Sequence, residues 1–161
     1  LDRDGVLNKL VNGRPPWETS EISIFKDSSH IIELIKSKFY MPIVVTNQPD
    51  AARGKLPLKK IYEINLQICK TLKITNYYIC PHGFDGECNC RKPKPGMLMQ
   101  ASKDLGIKLE KSLLIGDREK DIKAGMSAGC KTIYLSQNDI KMSNFFVNHH
   151  FDLIKLLNKI L

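Results

Sequence analysis

Two aspartates separated by one residue stand at the start of the chain, in the run Leu1-Asp2-Arg3-Asp4-Gly5. Alternate side chains of an extended backbone point the same way, so Asp2 and Asp4 are expected to reach one pocket, with Gly5 allowing a sharp turn. One carboxylate can attack a phosphorus atom while the other donates a proton. The pair indicates phosphate ester chemistry, although an isolated Asp-x-Asp-Gly is more often a pair of solvated turn residues.

A cluster of cysteines and one histidine is the second chemical signal. Its members are Cys80, His82, Cys88 and Cys90. Three thiolates and one imidazole in two close pairs are typical of a tetrahedral zinc site, and four protein ligands leave no open position, so the zinc is predicted to be structural. Five cysteines fit a disulfide framework poorly, and the other two, Cys69 and Cys130, lie in apolar segments and are predicted to be inert core residues.

Short apolar runs alternate with amphipathic segments, which is the pattern of strand and helix units around a parallel sheet. The predicted strands are residues 42–46, 76–80, 112–116 and 131–135. One predicted helix is capped by Asp27 and carries Ile31, Ile32, Leu34, Ile35 and Phe39, and a second carries Leu58, Ile61, Ile64, Ile68 and Leu72 on one face. The remaining predicted helices run from Pro95 to Gly106, over about 119–128 with Gly129 as the stop, and over about 151–161.

Polar residues follow the carboxyl ends of the predicted strands: Asp2 and Asp4, then Thr46 and Asn47, then Asp117. In open parallel sheets this edge is where ligands bind, so the three sets are expected to converge. Only Leu1 precedes Asp2, whereas a strand has typically ~5 residues, so we expect the first strand to be truncated before Leu1.

Composition sets limits on the class of protein. A chain of 161 residues, 42% apolar and 26% charged, is expected to form a single domain over residues 1–161. No run approaches the ~18 apolar residues of a membrane helix and no secretory leader is visible, so we expect a cytoplasmic protein without a membrane partner. The net charge of +8 comes from scattered lysines and suits anionic ligands. The few aromatic residues are not interleaved with basic ones, so nucleic acid is not an expected partner.

Four motifs occur in one order along the chain. They are Asp2-Arg3-Asp4-Gly5, Thr46-Asn47-Gln48, Arg91-Lys92-Pro93, and Gly116-Asp117-Arg118 followed by Asp121. In this the chain resembles the haloacid dehalogenase (HAD) superfamily of phosphatases, and within it the zinc-containing branch of heptose bisphosphate and histidinol-phosphate phosphatases. The resemblance implies a Rossmann-like α/β fold with three α/β/α layers, a mostly parallel central sheet, no large cap domain and a zinc-binding loop at residues 80–90.

The resemblance also implies roles for the motif residues. Asp2 would be the nucleophile that forms an aspartyl-phosphate, and Asp4 the general acid and base. Thr46 and Lys92 would hold the transferred phosphoryl group; Lys92 is preferred to Lys94 because the catalytic lysine of the family directly precedes the first proline.

Metal and substrate contacts follow from the same resemblance. Mg²⁺ would be held by Asp2, the backbone carbonyl of Asp4 and Asp117, because these acids would repel one another without a hard cation. Asp121 would lie in the second coordination shell, or would only stabilise a helix N-terminus. The predicted substrate contacts are Asn47, Arg91, Arg118 and Arg53, with Arg53 either at a second phosphate or in a structural salt bridge.

The expected partner is a small phosphorylated sugar, and the expected oligomeric state is a monomer. The run Thr46-Asn47-Gln48 followed shortly by Ala52-Arg53-Gly54, together with Pro95-Gly96-Met97, resembles the heptose bisphosphatase pattern. That resemblance implies removal of the 7-phosphate of D-glycero-D-manno-heptose 1,7-bisphosphate. The short loop between His82 and Cys88 favours histidinol phosphate instead. A polynucleotide 3′-phosphatase and a non-catalytic zinc-stabilised binding module are the further alternatives.

Overall fold

Parallel strands alternate with helices along the chain in the computed structural model, which describes residues 1–84 and 87–161. The strands are β1 (Ile43–Asn47), β2 (Asn76–Cys80), β3 (Leu113–Gly116), β4 (Lys131–Leu135) and β5 (Phe145–Val147). The helices are α1 (Ser28–Ser37), α2 (Leu58–Thr71), α3 (Gly96–Leu105), α4 (Glu119–Ser127) and α5 (His150–Ile160). Single 3₁₀ turns lie at Thr19–Glu21 and Leu109–Lys111.

The strands form two parallel groups, β1 with β2 and β3 with β4 and β5. The backbone of Leu1 and Asp2 lies between these groups. Leu1 N donates to Ile43 O at 2.8 Å, and Val45 N donates to Leu1 O at 2.8 Å. On the other side Asp2 N donates to Ile115 O at 2.9 Å. Asp2 therefore stands where the two groups of strands meet.

Two apolar clusters hold the helices against the strands. One contains Ile32 of α1, Ile68 of α2 and Leu153 of α5, and the other contains Leu98 of α3 and Ala124 of α4. Helices on the two sides of a parallel sheet make a three-layer α/β/α arrangement, as predicted. Cys69 and Cys130 are buried, as predicted, and burial raises the pKa of the Cys69 thiol to about 11.

Two local predictions were wrong. Phe39 is not part of α1: the helix ends at Ser37, the Phe39 backbone is left-handed (φ 62°), and the residue is 99% exposed. Leu58 does lie in α2, as predicted, and is exposed because it is the first residue of the helix. Asp27 precedes α1 but makes no capping hydrogen bond, because its backbone is already helical and its oxygen does not reach back to the free N–H groups.

Strand β5 was not predicted at all, whereas the other four strands were predicted to within a residue at each end. None of the helices in the described ranges combines the length and the apolar character that a membrane span requires.

Candidate active site

An ammonium group between two carboxylates forms the base of the site. Lys92 Nζ lies 2.8 Å from Asp2 Oδ1 and 2.7 Å from Asp121 Oδ1, and donates to Val45 O at 2.8 Å. Lys92 is only 2% exposed. Burial alone would lower the pKa of Lys92, but Asp2 and Asp121 outweigh it and raise that pKa. Burial opposes the charge of Asp2 in the same way, and Lys92 still lowers the pKa of Asp2. The geometry holds Asp2 ionised, as a nucleophile requires.

The backbone of Lys92 is held by Asn47 at the end of β1. Asn47 Nδ2 donates to Lys92 O at 3.0 Å, and Lys92 N donates to Asn47 Oδ1 at 3.1 Å. Both polar atoms of the amide are therefore used to position the lysine. The predicted role of Asn47 in contacting substrate stays a prediction.

Asp4 lies among hydrogen-bond donors. Arg3 donates to it from Nε at 3.2 Å and from Nη2 at 2.9 Å, Asn8 Nδ2 donates at 2.9 Å, and Gln48 Nε2 donates at 2.6 Å. Gln48 Nε2 also donates to Thr46 Oγ1 at 2.9 Å. Gln48 thus links the predicted acid and base to the predicted phosphate-binding hydroxyl. Sequence reasoning missed this role of Gln48, although Thr46 and Gln48 are two residues apart, the spacing of one strand face.

Three carboxylates lie close together beside Lys92. Oxygen atoms of Asp2, Asp117 and Asp121 all lie within 4.8 Å of one another. Burial, followed by repulsion from Asp2 and Asp121, raises the pKa of Asp117 to about 7. Within residues 1–84 and 87–161, the buried Oδ1 of Asp117 has no hydrogen-bond partner. An oxygen-only donor set with an unpartnered buried oxygen fits a hard divalent cation such as Mg²⁺.

Glycine is required beside these acids. Gly5 has φ +89°, and a side chain there would overlap the carboxylate of Asp117. A side chain at Gly116 would overlap Asp121. The glycines of the first and fourth motifs therefore let the acidic residues approach one another.

A pocket of about 320 Å³ opens over these groups. Its lining includes the predicted residues Asp2, Asp4, Thr46, Asn47, Arg53, Arg91 and Arg118. Lys92 is buried beneath it and is not part of the lining. A larger cavity of about 430 Å³ is lined mainly by apolar side chains and contains none of the predicted site residues. The smaller pocket is the candidate site, because it is lined by the charged side chains that the sequence analysis singled out.

Residues that were not predicted also line this pocket. They are Leu10, Asn12, Gly13, Arg14, Pro15, Trp17, Pro49, Asp50, Lys55, Phe84 and Lys120. Lys120 adds a second lysine close to Asp2, and burial lowers the pKa of its ammonium group. Trp17 Nε1 donates to Asp50 Oδ2 at 2.9 Å, and Asp50 Oδ1 lies 3.5 Å from Arg53 Nη1. The salt bridge that was the alternative for Arg53 is thus present in the structure.

The four residues of the zinc-type cluster come together as expected. Cys80 Sγ lies 3.8 Å from Cys88 Sγ, and His82 Nδ1 lies 3.5 Å from Cys80 Sγ and 3.2 Å from Cys90 Sγ. Zn–S bonds of about 2.3 Å place the sulfurs of a tetrahedral site about 3.8 Å apart, so the cluster fits zinc. Burial and the neighbouring Cys80 and Cys88 raise the pKa of the Cys90 thiol to about 12, a crowding that a divalent ion would relieve. The loop residues Asp85 and Gly86 lie outside the described residues.

Strand-end aspartates and a buried lysine beneath a polar pocket are the arrangement of a phosphatase of the HAD class, and the comparisons with known proteins agree. The family model described as "HAD-hyrolase-like" matches residues 89–141. A crystal structure of D,D-heptose 1,7-bisphosphate phosphatase from B. bronchiseptica, complexed with magnesium and phosphate, superposes with a TM-score of 0.87. It is 23% identical in sequence, and the match covers 99% of this chain and 97% of that one. At this identity the likeness shows the fold.

Closer relatives by sequence identify the branch. D-glycero-beta-D-manno-heptose-1,7-bisphosphate 7-phosphatase of Helicobacter pylori is 31% identical over 154 residues, which is 91% of this chain and 88% of the relative. D-glycero-alpha-D-manno-heptose-1,7-bisphosphate 7-phosphatase of Photorhabdus laumondii is 38% identical over 150 residues, 84% of this chain and 79% of the relative. The chain belongs to the family of D-glycero-D-manno-heptose-1,7-bisphosphate 7-phosphatases.

Proposed function

We propose that the chain removes the 7-phosphate of D-glycero-D-manno-heptose 1,7-bisphosphate through an aspartyl-phosphate at Asp2. The observation that carries this proposal is the ion pair of Asp2 with Lys92, buried at the base of a pocket rimmed by arginines. The names of the relatives support the choice of sugar. They include both anomers, so the anomer is left to experiment.

Asp2 Oδ1 is occupied, because it accepts from Arg3 N at 2.8 Å and faces Lys92. Among residues 1–84 and 87–161 no hydrogen bond or ion pair is made to its Oδ2, which leaves that oxygen to attack phosphorus. In the first step a bond forms between Asp2 and phosphorus, the bond from phosphorus to the sugar oxygen breaks, and Asp4 gives its proton to that oxygen. In the second step the oxygen of a water molecule bonds to phosphorus, Asp4 takes a proton from that water, and the bond from phosphorus to Asp2 breaks. Inorganic phosphate leaves and the Asp2 carboxylate is restored.

Gln48 would keep the general acid and base beside the phosphate-binding hydroxyl. Its Nε2 donates to Asp4 Oδ2 at 2.6 Å and to Thr46 Oγ1 at 2.9 Å, so one amide orients both groups towards the reacting phosphate.

Mg²⁺ would be held by Asp2, Asp117 and the backbone carbonyl of Asp4, with Asp121 either as an additional ligand or in the second shell. Bound there, it would neutralise the crowded carboxylates and polarise a phosphate oxygen. Thr46 would donate a hydrogen bond to the phosphoryl group, and Lys92 would offset the charge that builds up in the transition state.

Zinc at Cys80, His82, Cys88 and Cys90 would have a structural role. Arg91 and Lys92 directly follow Cys90, and Lys94 Nζ donates to Cys88 O at 2.7 Å, so the loop supports the segment that carries the buried lysine. Arg53, Arg91 and Arg118 would contact the substrate from the pocket wall. The single domain, the monomeric state and the cytoplasmic location stay predictions.

One preparation tests the function. We would measure kcat/KM for both anomers of heptose 1,7-bisphosphate, for histidinol phosphate and for a 3′-phosphorylated oligonucleotide, with and without Mg²⁺. We expect one heptose anomer to give the highest value and activity to require Mg²⁺. Asp2→Asn should abolish phosphate release. A preference for histidinol phosphate or the oligonucleotide would refute the substrate, and full activity of Asp2→Asn would refute the mechanism.

A further inference from the structure

One aromatic ring at the pocket lies against two arginines from different loops. The guanidinium of Arg91 is 4.2 Å from the ring centre of Phe84, and that of Arg53 is 5.2 Å from the same centre. Both distances are within the range of about 6 Å for attraction between a cation and an aromatic face. All three residues line the pocket that contains Asp2. The ring therefore holds together two like charges that would otherwise repel each other.

Each arginine is also anchored away from the ring. Arg91 Nη1 donates to His82 O at 2.9 Å, which ties it to the zinc-type cluster. Arg53 Nη1 lies 3.5 Å from Asp50 Oδ1, and Asp50 is buried and fixed by Trp17 Nε1. A guanidinium has five N–H donors, so these anchors orient both side chains and leave donors for a ligand.

The side chain of Phe84 itself is 73% exposed, on a loop and not in the core. A ring in this position contributes little to folding by burial. Its contacts with the two arginines place its effect at the pocket mouth, where two oriented guanidiniums match the oxygens of a phosphate monoester.

We propose that Phe84 is a specificity-determining residue, which holds Arg53 and Arg91 as a paired subsite for the second, non-reacting phosphate of a sugar bisphosphate. The inference rests on the proposed function, since it needs a substrate with two phosphates. It assigns to the loop that carries the zinc-type ligands a direct part in substrate choice. Binding energy from a remote phosphate then serves to orient the ester that reacts at Asp2.

The test compares bisphosphates with monophosphates that differ only in the second phosphate. KM and kcat are measured for heptose 1,7-bisphosphate and heptose 7-phosphate, and for fructose 1,6-bisphosphate and fructose 6-phosphate. Phe84→Ala should raise KM for the bisphosphates about five-fold and for the monophosphates less than about two-fold, because only the former use the paired arginines. Phe84→Tyr keeps an aromatic face and should preserve the wild-type ratio of KM values.

Phe151→Ala is the matched control. Phe151 is 61% exposed, and its ring centre lies 4.2 Å from Lys155 Nζ. It is on α5 and outside the pocket, so its removal should leave KM unchanged for bisphosphates and for monophosphates. Zinc content is measured for every variant. If Phe84→Ala loses zinc, the same KM comparison is made with Phe84→Leu, which removes the aromatic face but keeps a large apolar side chain, in protein that retains its zinc. Equal changes of KM for monophosphates and bisphosphates, or none, would overturn the subsite. A wild-type enzyme that does not prefer heptose bisphosphate would instead overturn the proposed function.

Discussion

Replacing Lys92 by methionine is the sharpest test of the buried ion pair. The change keeps a side chain of similar length and removes the ammonium that faces Asp2, Asp121 and Val45 O at 2.7–2.8 Å. Removing one partner of a buried ion pair costs about 3 to 5 kcal/mol, because the remaining charge is left without compensation. Since Lys92 faces two buried carboxylates, we expect the free energy of unfolding to fall by an amount near the upper end of that range. The loss is limited because one of the carboxylates can take up a proton.

The assay is urea unfolding at neutral pH in buffer without added magnesium and without chelator, so that any bound zinc is kept. Addition of Mg²⁺ should narrow the difference in the free energy of unfolding between Lys92→Met and wild type. In the variant the cation takes over the balancing of the same carboxylates, so it stabilises the folded variant more than the folded wild type. We also expect kcat to fall at least about 100-fold, since the positive charge at the phosphoryl group is lost.

Lys94→Met is the matched control, because Lys94 lies two residues further on and is exposed. Among the residues that the structure describes, its side chain donates only to Cys88 O. It should cost less than about 1 kcal/mol. A Lys92→Met protein within about 1 kcal/mol of wild type, or a Lys94→Met protein that loses as much, would refute the assignment of Lys92 as the buried cation.

Three further predictions concern the loops. Cys88→Ser should lower zinc content and reduce turnover about 10-fold, measured by metal analysis and phosphate release, and a zinc-free variant with unchanged turnover would contradict the coupling. Arg53→Ala should raise KM for a bisphosphate more than for its monophosphate, and equal effects would discard the contact. Hydrogen bonds from Arg14 lower the pKa of Glu21 to about 2, so their pairing should persist above about pH 4 and be lost as pH falls towards 2. In Arg14→Gln the protonation of Glu21 should move up towards about pH 4. The fluorescence of the single tryptophan, Trp17, whose backbone N–H donates to Glu21, follows this protonation, and circular dichroism excludes global unfolding. A protonation midpoint that does not move in Arg14→Gln would show that Arg14 does not set the pKa of Glu21.

The strand ends made much of the site predictable. Thr46 and Asp117 each follow a short apolar run, and Asp2 was expected to follow a strand that begins before Leu1. The carboxyl ends of parallel strands meet at one edge. The cysteine and histidine spacing predicted the zinc-type cluster for a similar reason, because the ligands are close in sequence. Local order and a simple topological rule were enough for these groups.

The contacts of Lys92 and Asp50 were beyond such reasoning. Lys92 pairs with Asp2, which lies 90 positions earlier in the sequence. Asn47, which lies 45 positions earlier, donates a hydrogen bond to the backbone carbonyl of Lys92. Strand β5 has three residues, too few for a hydrophobic period to be recognised. The hydrogen bond from Trp17 to Asp50 joins two loops whose separation depends on the packing of the whole fold.

The position of Asp2 between the two groups of strands has a consequence for mutational studies. Its neighbour Leu1 is hydrogen-bonded to Ile43 and Val45 on one flank, and Asp2 itself to Ile115 on the other. Any sliding of one half of the protein past the other would displace the reactive oxygen before the chain unfolds. Turnover therefore reports how firmly the two groups of strands are held together. Core substitutions far from the pocket should slow turnover while the circular dichroism spectrum is still that of the native protein.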